Sequence, residues 1–227
     1  IFPTFNQMKK LLPLLLLIMI GCSSPEPINS DELSLQLIDN DFIYYNIDTN
    51  QPHSGPVFFL YENGQIESEK IYKDGKLDGV SKFYYENGQF LGDSTWKDDE
   101  LDGPSKSYYE NGQLKLEETY KDGLRDGPFK LYYDNGQLEI ETIYKNGFPE
   151  GPHKLYYDNG QLKVERTWKN RKRDGPYKTY YENGQLKLEG TYKDSYRDGT
   201  FKYYDENGQL KLEEVYKDGK RYWSVDN

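Results

Sequence analysis

The sequence is poor in the residues that most enzymes use for catalysis. Its 227 residues include one cysteine and two histidines. His53 and His153 stand far apart in the sequence, and no nucleophile motif accompanies either of them. The acidic turns also lack the ligand spacing of a calcium loop. The sequence therefore predicts no catalytic residues, no metal site, no cofactor and no enzymatic activity.

Apolar residues are also scarce. They make up 35% of the chain, and the net charge is -10. Such polarity is usual in disordered segments, but disordered segments are poor in aromatic residues. Here 23 tyrosines and 10 phenylalanines favour an ordered protein without a thick core. The acidic balance argues against binding to nucleic acid or to anionic lipid.

A long apolar run occurs only near the start, at residues 11–20, directly after two lysines. As a helix it is too short to cross about 30 Å of bilayer hydrocarbon, and a basic segment followed by such a run is typical of a signal peptide. The run ends with Gly21-Cys22, and a small residue before a cysteine resembles the cleavage site of bacterial lipoproteins. We therefore predict a lipoprotein signal peptide at 8–22 and lipidation of Cys22.

Lipidation would place the mature protein at the cell envelope, on the periplasmic or surface side of the outer membrane of a Gram-negative bacterium. Residues 1–7 precede Met8, and we interpret them as an upstream, non-native extension outside the fold. Residues 23–41 are predicted to form a tether and an N-terminal segment. Residues 42–227 are predicted to form a repeat domain.

The dipeptide Asn-Gly recurs with a constant spacing of 24 residues. Its asparagines are Asn63, Asn87, Asn111, Asn135, Asn159, Asn183 and Asn207. A second glycine series keeps the same period: Gly55, Gly79, Gly103, Gly127, Gly151, Gly175 and Gly199. Each Asn-Gly lies between two segments of alternating polarity, a pattern typical of a β-hairpin. The sequence therefore predicts an all-β fold, a single-layer elongated antiparallel β-meander of seven 24-residue hairpin repeats.

A two-residue type I′ turn at Asn135-Gly136 would fix the register of its hairpin. This turn pairs Tyr133 with Leu138 on an apolar face of the sheet. It pairs Lys130 with Glu141 on the opposite, charged face. The equivalent turn in the other units would give each hairpin the same two faces.

Applied to every unit without shear, this register predicts a line of alternating charge across the sheet. We call this line the charge row, and its members are Glu69, Lys82, Asp93, Lys106, Glu117, Lys130, Glu141, Lys154, Glu165, Lys178, Glu189, Lys202 and Glu213. Opposite charges across two strands contribute about 0.2–1 kcal/mol per pair, and like charges cost similar amounts. The charge row is therefore predicted to specify strand pairing rather than to bind a ligand.

A second series on the charged face is aromatic. We call it the tyrosine row, and its members are Tyr84, Tyr108, Tyr132, Tyr156, Tyr180 and Tyr204. At about 4.8 Å per strand, neighbouring rings should lie about 10 Å apart. The tyrosine row is the predicted binding surface for a partner, either a protein or a sugar. Packing of these rings over lysine and glutamate stems is the alternative interpretation.

The unit that begins at Tyr108 reads Tyr-Tyr-Glu-Asn-Gly-Gln-Leu-Lys-Leu-Glu, followed by Tyr-Lys-Asp-Gly and Asp-Gly-Pro. This pattern resembles the MORN-repeat variant family (membrane occupation and recognition nexus) over about 51–227. The resemblance implies a twisted β-meander that serves as a spacer, a scaffold or a binding surface. Many bacterial members are described as antitoxin-like lipoproteins or antitoxin-like proteins. The resemblance implies no catalytic residue.

Three functions remain open at this point. The first is a non-enzymatic envelope lipoprotein whose repeats form a scaffold for protein–protein interaction. The second is an antitoxin or immunity protein that binds a cognate toxin. The third is a cell-surface glycan-binding repeat protein, because the cell-wall-binding repeats of choline- and glucan-binding proteins also use aromatic, glycine-rich hairpins.

Overall fold

The computed structural model describes residues 25–38 and 41–226. Among these residues one 3₁₀ helix, Ser30–Glu32, accompanies the β-strands. The strands are β1 (Ile28–Asn29), β2 (Leu33–Ile38), β3 (Asp41–Asn46), β4 (Gln51–Pro52), β5 (Gly55–Leu60), β6 (Ile66–Lys73), β7 (Lys76–Leu77), β8 (Gly79–Tyr84), β9 (Phe90–Lys97), β10 (Glu100–Tyr108), β11 (Leu114–Lys121), β12 (Leu124–Tyr132), β13 (Leu138–Lys145), β14 (Phe148–Tyr156), β15 (Leu162–Lys169), β16 (Lys172–Tyr180), β17 (Leu186–Lys193), β18 (Tyr196–Arg197), β19 (Gly199–Tyr204), β20 (Leu210–Lys217) and β21 (Lys220–Asp226).

The main sheet follows the order of the chain from β5 to β21. Each strand pairs antiparallel with the next, and the short strands β7 and β18 continue into β8 and β19, which pair with the same neighbours. This arrangement confirms the predicted all-β, elongated meander of seven hairpin repeats. Strands β2, β3 and β4 form a separate three-stranded sheet.

The Asn-Gly turns differ from the predicted geometry. In the fourth unit, Gly136 N donates to Tyr133 O at 2.9 Å, and Tyr133 N donates to Gln137 O at 2.8 Å. Gly136 has φ +83°, whereas Asn135 is not among the residues with positive φ. This is a type I turn followed by a left-handed glycine, so the predicted type I′ turn is wrong. In this turn Asn135 Oδ1 accepts the Gln137 N–H at 2.9 Å.

The different turn shifts the first rung of each hairpin. Tyr132, and not Tyr133 as predicted, pairs with Leu138. A bulge directly after this rung takes up the extra residue, so Lys130 still pairs with Glu141 as predicted. Past the bulge, the residues of each hairpin therefore lie on the faces that the sequence predicted.

The type I′ geometry occurs at the other end of each strand pair. Asp122 and Gly123 have φ +48° and +72°, and they connect the paired residues Lys121 and Leu124. Positive φ at both central residues defines this turn and matches the right-handed twist of the flanking strands. Two recurring dipeptides therefore serve two different turn types in one repeat.

Three units place a residue other than glycine at the second position of the type I′ turn. Asp99, Arg171 and Ser195 have φ values of +68°, +65° and +73°. Asp99 Oδ1 accepts a backbone N–H of the preceding unit at 2.7 Å, and Ser195 Oγ accepts another at 3.1 Å. The Arg171 guanidinium lies 3.6 Å from the centre of the Phe148 ring. Each exception thus gains a contact that offsets part of the cost of the left-handed conformation.

The two ends of the hairpins link neighbouring units by different bonds. At the end with the Asn-Gly turns, here called the Asn-Gly edge, Tyr109 OH donates to Tyr132 O at 2.7 Å. The same bond joins Tyr61, Tyr85, Tyr133, Tyr157 and Tyr181 to Tyr84, Tyr108, Tyr156, Tyr180 and Tyr204. In the seventh unit the position holds Asp205, which accepts the Gln209 N–H of its own turn at 2.9 Å.

At the opposite end, here called the Asp-Gly edge, the link is made by the backbone. Gly123 N donates to Leu101 O at 2.9 Å, and Gly147 N donates to Arg125 O at 2.8 Å. Ser195 makes the same bond through its own N–H. This edge therefore needs a suitable backbone conformation rather than a particular side chain.

The core is a line of side chains on the apolar face. Phe201 and Val57 are fully buried, at 0% and 1% exposure. The ring of Phe201 packs edge-on between Tyr192 and Tyr216, with ring centres 5.6 Å and 5.4 Å away. Aromatic contacts of this kind add to the burial of apolar area in a sheet that has one layer.

The segment before the first repeat covers one end of the main sheet. Strand β1 pairs in parallel with β5, and the small sheet contacts the first Asp-Gly turn through Tyr44 N, which donates to Gly75 O at 3.0 Å. The Tyr44 and Tyr72 rings lie 5.1 Å apart. Part of 23–41, predicted as a tether and N-terminal segment, is thus built into strands.

Candidate binding surfaces

The charge row has the predicted register. Lys130 pairs with Glu117 on one side and with Glu141 on the other. The Nζ of Lys106 lies 2.8 Å from Glu117 Oε1, and the Nζ of Lys130 lies 3.9 Å from Glu141 Oε1. The hydrogen bond from Lys106 lowers the pKa of Glu117. The side chains of these pairs are partly exposed to solvent, so each ion pair contributes little to stability and the row acts mainly on strand register.

The tyrosine row lies on the same face and contacts the charge row. Tyr132 OH donates to Glu117 Oε2 at 3.2 Å, and Tyr204 OH donates to Glu189 Oε1 at 2.8 Å. Burial, together with this hydrogen bond, raises the pKa of Tyr204 to about 12. The hydroxyls are therefore protonated donors at neutral pH, and the rings are half-buried over the neighbouring strands.

At the first units of the row a phenylalanine fills the space between two rings. Phe90 lies 5.8 Å from Tyr84 and 5.5 Å from Tyr108, measured between ring centres. The structure thus brings the predicted tyrosines into one line, partly packed against their surroundings. Their role in binding a partner stays a prediction. The predicted lipidation site, Cys22, and the signal peptide at 8–22 lie outside the described residues.

The opposite, apolar face holds two buried carboxylates that the sequence analysis missed. Glu118 accepts a hydrogen bond from Arg125 Nε at 2.7 Å and another from Tyr120 OH at 2.9 Å. Its side chain is 7% exposed. These two donors offset part of the cost of burying the carboxylate.

Glu214 repeats this arrangement four units later. Arg221 NH1 donates to Glu214 Oε1 at 2.8 Å, and Tyr216 OH donates to Oε2 at 2.8 Å. Tyr203 OH adds a further bond at 2.8 Å, and Arg197 NH1 lies 3.7 Å from the carboxylate. The arginine and tyrosine donors lower the pKa of Glu214, against the effect of burial.

His153 lies between these clusters, buried on the apolar face at 8% exposure. Arg166 NH2 lies 3.0 Å from His153 Nε2. Burial, and then the charge of Arg166, lower the pKa of His153 to about 4. The imidazole is therefore neutral at physiological pH. The sequence signal for this pair was present, because Arg166 stands where the third and seventh units have Glu118 and Glu214.

Residues 25–38 and 41–226 contain no group of three or more His, Cys, Asp or Glu side chains placed to share a metal ion. No helix in these ranges has both the length and the apolar character needed to cross a bilayer.

Comparison with protein families gives a match that covers the hairpins. A family model described as "MORN repeat variant" matches seven consecutive stretches of the chain. The stretches are 54–74, 77–98, 101–122, 125–146, 149–170, 173–194 and 197–218. No curated protein sequence matches the chain.

Among solved structures, similarity is weak. A crystal structure of TcdB2-TccC3 without its hypervariable C-terminal region is 16% identical, with a TM-score of 0.23, over 86% of this chain and 11% of that one. A second TcdB2-TccC3 structure is 13% identical, with a TM-score of 0.22, over 74% and 12%. Alternansucrase in complex with isomaltononaose is 14% identical, with a TM-score of 0.20, over 79% and 16%. Similarities at this level do not define a shared fold, and the chain spans only a small part of these proteins.

Proposed function

The chain belongs to the MORN repeat variant family, and we propose that it is a non-enzymatic scaffold that binds a partner protein along its charged face. The observation that carries the proposal is the continuity of the charge row and the tyrosine row over the repeats. A sheet of fixed register presents these groups at regular intervals. Tyrosine is one of the residues enriched at protein–protein interfaces.

The absence of enzymatic activity is part of the proposal. In the described residues both histidines are buried, and the buried carboxylates are held by arginine and tyrosine donors. These groups are engaged within the fold, which supports a structural role for them.

The cell envelope is the proposed location, and lipidation of Cys22 is the proposed means of attachment. Changing Cys22 to Ala should move the protein from the membrane fraction to the soluble fraction and should abolish labelling with a radioactive fatty acid. Ser23→Ala is the matched control and should remain in the membrane fraction. A Cys22→Ala protein that still sediments with membranes after a high-salt wash would contradict the proposed attachment.

Binding along the charged face is best tested by photo-crosslinking in cells. Tyr156 and Leu155 are adjacent in the chain, and Tyr156 belongs to the tyrosine row while Leu155 lies on the apolar face. A photoreactive phenylalanine derivative at 156 should give one discrete protein adduct, and the same residue at 155 should not give that adduct. Adducts of equal yield at both positions, or none at either, would contradict a partner on the charged face.

The same experiment separates the proposed scaffold from the two other functions. Mass spectrometry of the adduct identifies the partner as an envelope protein or as a toxin encoded beside this chain. An adduct that carries sugar in place of peptide would favour glycan binding and would contradict the proposal.

A further inference from the structure

Four units carry an arginine near the start of the strand that follows the Asp-Gly turn. These residues are Arg125, Arg173, Arg197 and Arg221. Three of them lie beside a buried glutamate on the apolar face: Arg125 beside Glu118, and both Arg197 and Arg221 beside Glu214. No carboxylate of the described residues lies within salt-bridge distance of Arg173.

The unit of Arg173 repeats the geometry of the two glutamate clusters with different residues. Tyr120 and Arg125 follow Glu118 by two and seven positions. Trp168 and Arg173 follow Arg166 by the same two intervals. Trp168 pairs with Arg173 across β15 and β16, as Tyr120 pairs with Arg125 across β11 and β12. An arginine therefore occupies the place of the glutamate, and an indole replaces the phenol.

The replacement leaves several N–H groups without a partner. Arg166 Nε, Trp168 Nε1 and His153 Nδ1 are buried atoms that lack a hydrogen-bond partner among the described residues. Because His153 Nε2 accepts from Arg166, its proton is on Nδ1, and all three atoms are donors. A buried donor without a partner is costly, and three on one patch of a sheet are unusual.

The positive charges of this unit, like its unpartnered donors, favour the binding of an anion. Arg166 is half-buried and lies over the Trp168 ring at 5.4 Å, and Arg173 lies over the Tyr192 ring at 4.5 Å. Burial lowers the pKa of Arg166, and the positive charge of Arg173 acts in the same sense. Two arginines thus lie on the apolar face of this unit without the anion that the other clusters provide.

We propose that Arg166, Trp168 and Arg173, supported by His153, bind the carboxylate of a ligand. We call these four residues the arginine cluster. The ligand carboxylate would take the part that Glu118 and Glu214 play in the other clusters, accepting from both guanidinium groups and from the indole. A carboxylate fits because the same scaffold already holds two carboxylates with this arginine spacing. The cluster lies on the face opposite the tyrosine row, so the inference does not depend on the proposed scaffold function.

The two sources of such a carboxylate are a small free acid and an acidic side chain of another protein. Titrations of the full-length protein with glutarate and with a capped peptide that contains one glutamate distinguish them. The readout is the indole N–H signal of Trp168 in a ¹⁵N-labelled sample. Trp96 is an internal control, because its Nε1 already donates to Ser94 Oγ at 2.8 Å.

We expect at least one of the two carboxylates to shift the Trp168 signal in a saturable manner while the Trp96 signal stays in place. Arg166→Gln and Arg173→Gln should each weaken binding about tenfold or more, since each removes a charge-assisted donor. Arg166→Glu should rebuild an internal pair with Arg173, raise the melting temperature and abolish the response to added carboxylate. The Trp96 signal reports whether each variant is folded.

Three results would overturn the proposal. The first is the absence of any saturable shift of the Trp168 signal with either carboxylate in the folded wild-type protein. The second is an equal or larger shift with inorganic phosphate at the same ionic strength, which would show general anion attraction. The third is unchanged carboxylate binding in folded Arg166→Gln and Arg173→Gln variants.

Discussion

The Asn-Gly edge and the Asp-Gly edge both link neighbouring units, but through different kinds of hydrogen bond. At the Asn-Gly edge a tyrosine hydroxyl and an asparagine amide of one unit donate to carbonyls of the next, as Tyr109 and Asn111 do. At the Asp-Gly edge a backbone N–H donates to a carbonyl of the preceding unit. The first edge has the same residues in nearly every unit, whereas the second accepts Gly, Asp, Arg or Ser at one turn position.

The difference shows what keeps a repeat regular. A link made by side chains requires the same tyrosine and asparagine in each unit that has a following unit to bind. A link made by the backbone requires only a residue that can adopt positive φ, and a local contact can offset the cost for a residue other than glycine. Sequence regularity at one end of a hairpin thus coexists with sequence freedom at the other.

The largest effect is expected from removal of an asparagine at the Asn-Gly edge. Asn135→Ala removes the bond from Nδ2 to Asp158 O at 2.8 Å and the bond accepted from Gln137 N at 2.9 Å. We expect a loss of about 1–2 kcal/mol in the free energy of unfolding, measured with urea. In the seventh unit Asp205 accepts the equivalent N–H, so Asn207→Ala should cost less than about 0.5 kcal/mol. Equal losses at both positions would contradict the role given to the edge.

Glycine at the Asp-Gly edge should matter through its conformation alone. A Cβ added at Gly123, where φ is +72°, would meet no atom within 4 Å. Gly123→Ala should therefore cost about 1 kcal/mol, the strain of a left-handed alanine. Leu124→Ala in the same turn is the control and should change the free energy of unfolding by less than about 0.5 kcal/mol. A neutral Gly123→Ala variant would show that the turn can change type.

The tyrosine hydroxyl at the Asn-Gly edge should contribute a measurable but smaller amount. Tyr133→Phe keeps the ring and removes the bond to Tyr156 O at 2.9 Å. We expect a loss of about 0.5–1 kcal/mol and faster amide hydrogen exchange in the two joined units. The reverse change in the seventh unit, Asp205→Tyr, should bring no gain in stability. A stabilised Asp205→Tyr variant would contradict the pairing of each tyrosine with a following carbonyl.

The smallest effect on stability is expected at Ser195, which stands in place of glycine at the Asp-Gly edge. Ser195→Gly relieves the strain at φ +73° but removes the bond from Arg173 N to Ser195 Oγ at 3.1 Å. The two effects should cancel to within about 0.5 kcal/mol. Gly123→Ser should cost less than Gly123→Ala, because the hydroxyl can accept the equivalent N–H. Equal costs for serine and alanine at 123 would rule out this compensation.

The fold and the register of the charged face could be predicted because opposite charges mark each rung, as Lys130 does between Glu117 and Glu141. The turn types could not be predicted from the sequence. Asn-Gly fits both a type I′ turn and a type I turn with a left-handed glycine, and the alternating polarity of the flanking segments does not distinguish the two. The bulge near Tyr132 then restores the predicted strand pairing, so the turn type does not alter the rest of the hairpin.

The candidate sites were predicted unevenly for a similar reason. The tyrosine row follows from spacing and face alone, so its alignment was accessible from the sequence. The arginine cluster was marked only by Arg166, at a position where the third and seventh units have Glu118 and Glu214. Whether Arg166 and Trp168 find partners depends on the paths of their side chains, which neither the period nor the register of the sheet determines.

The order of the strands has a mechanical consequence. Because each strand from β5 to β21 bonds only to strands close to it in the chain, a pull along the stacking direction loads one hairpin at a time rather than all together. A 24-residue unit that opens replaces about 10 Å of stacked sheet with about 80 Å of extended chain. Under tension the array would lengthen in nearly even steps, each resisted by the strand ladder of one unit and by the bonds at its two edges.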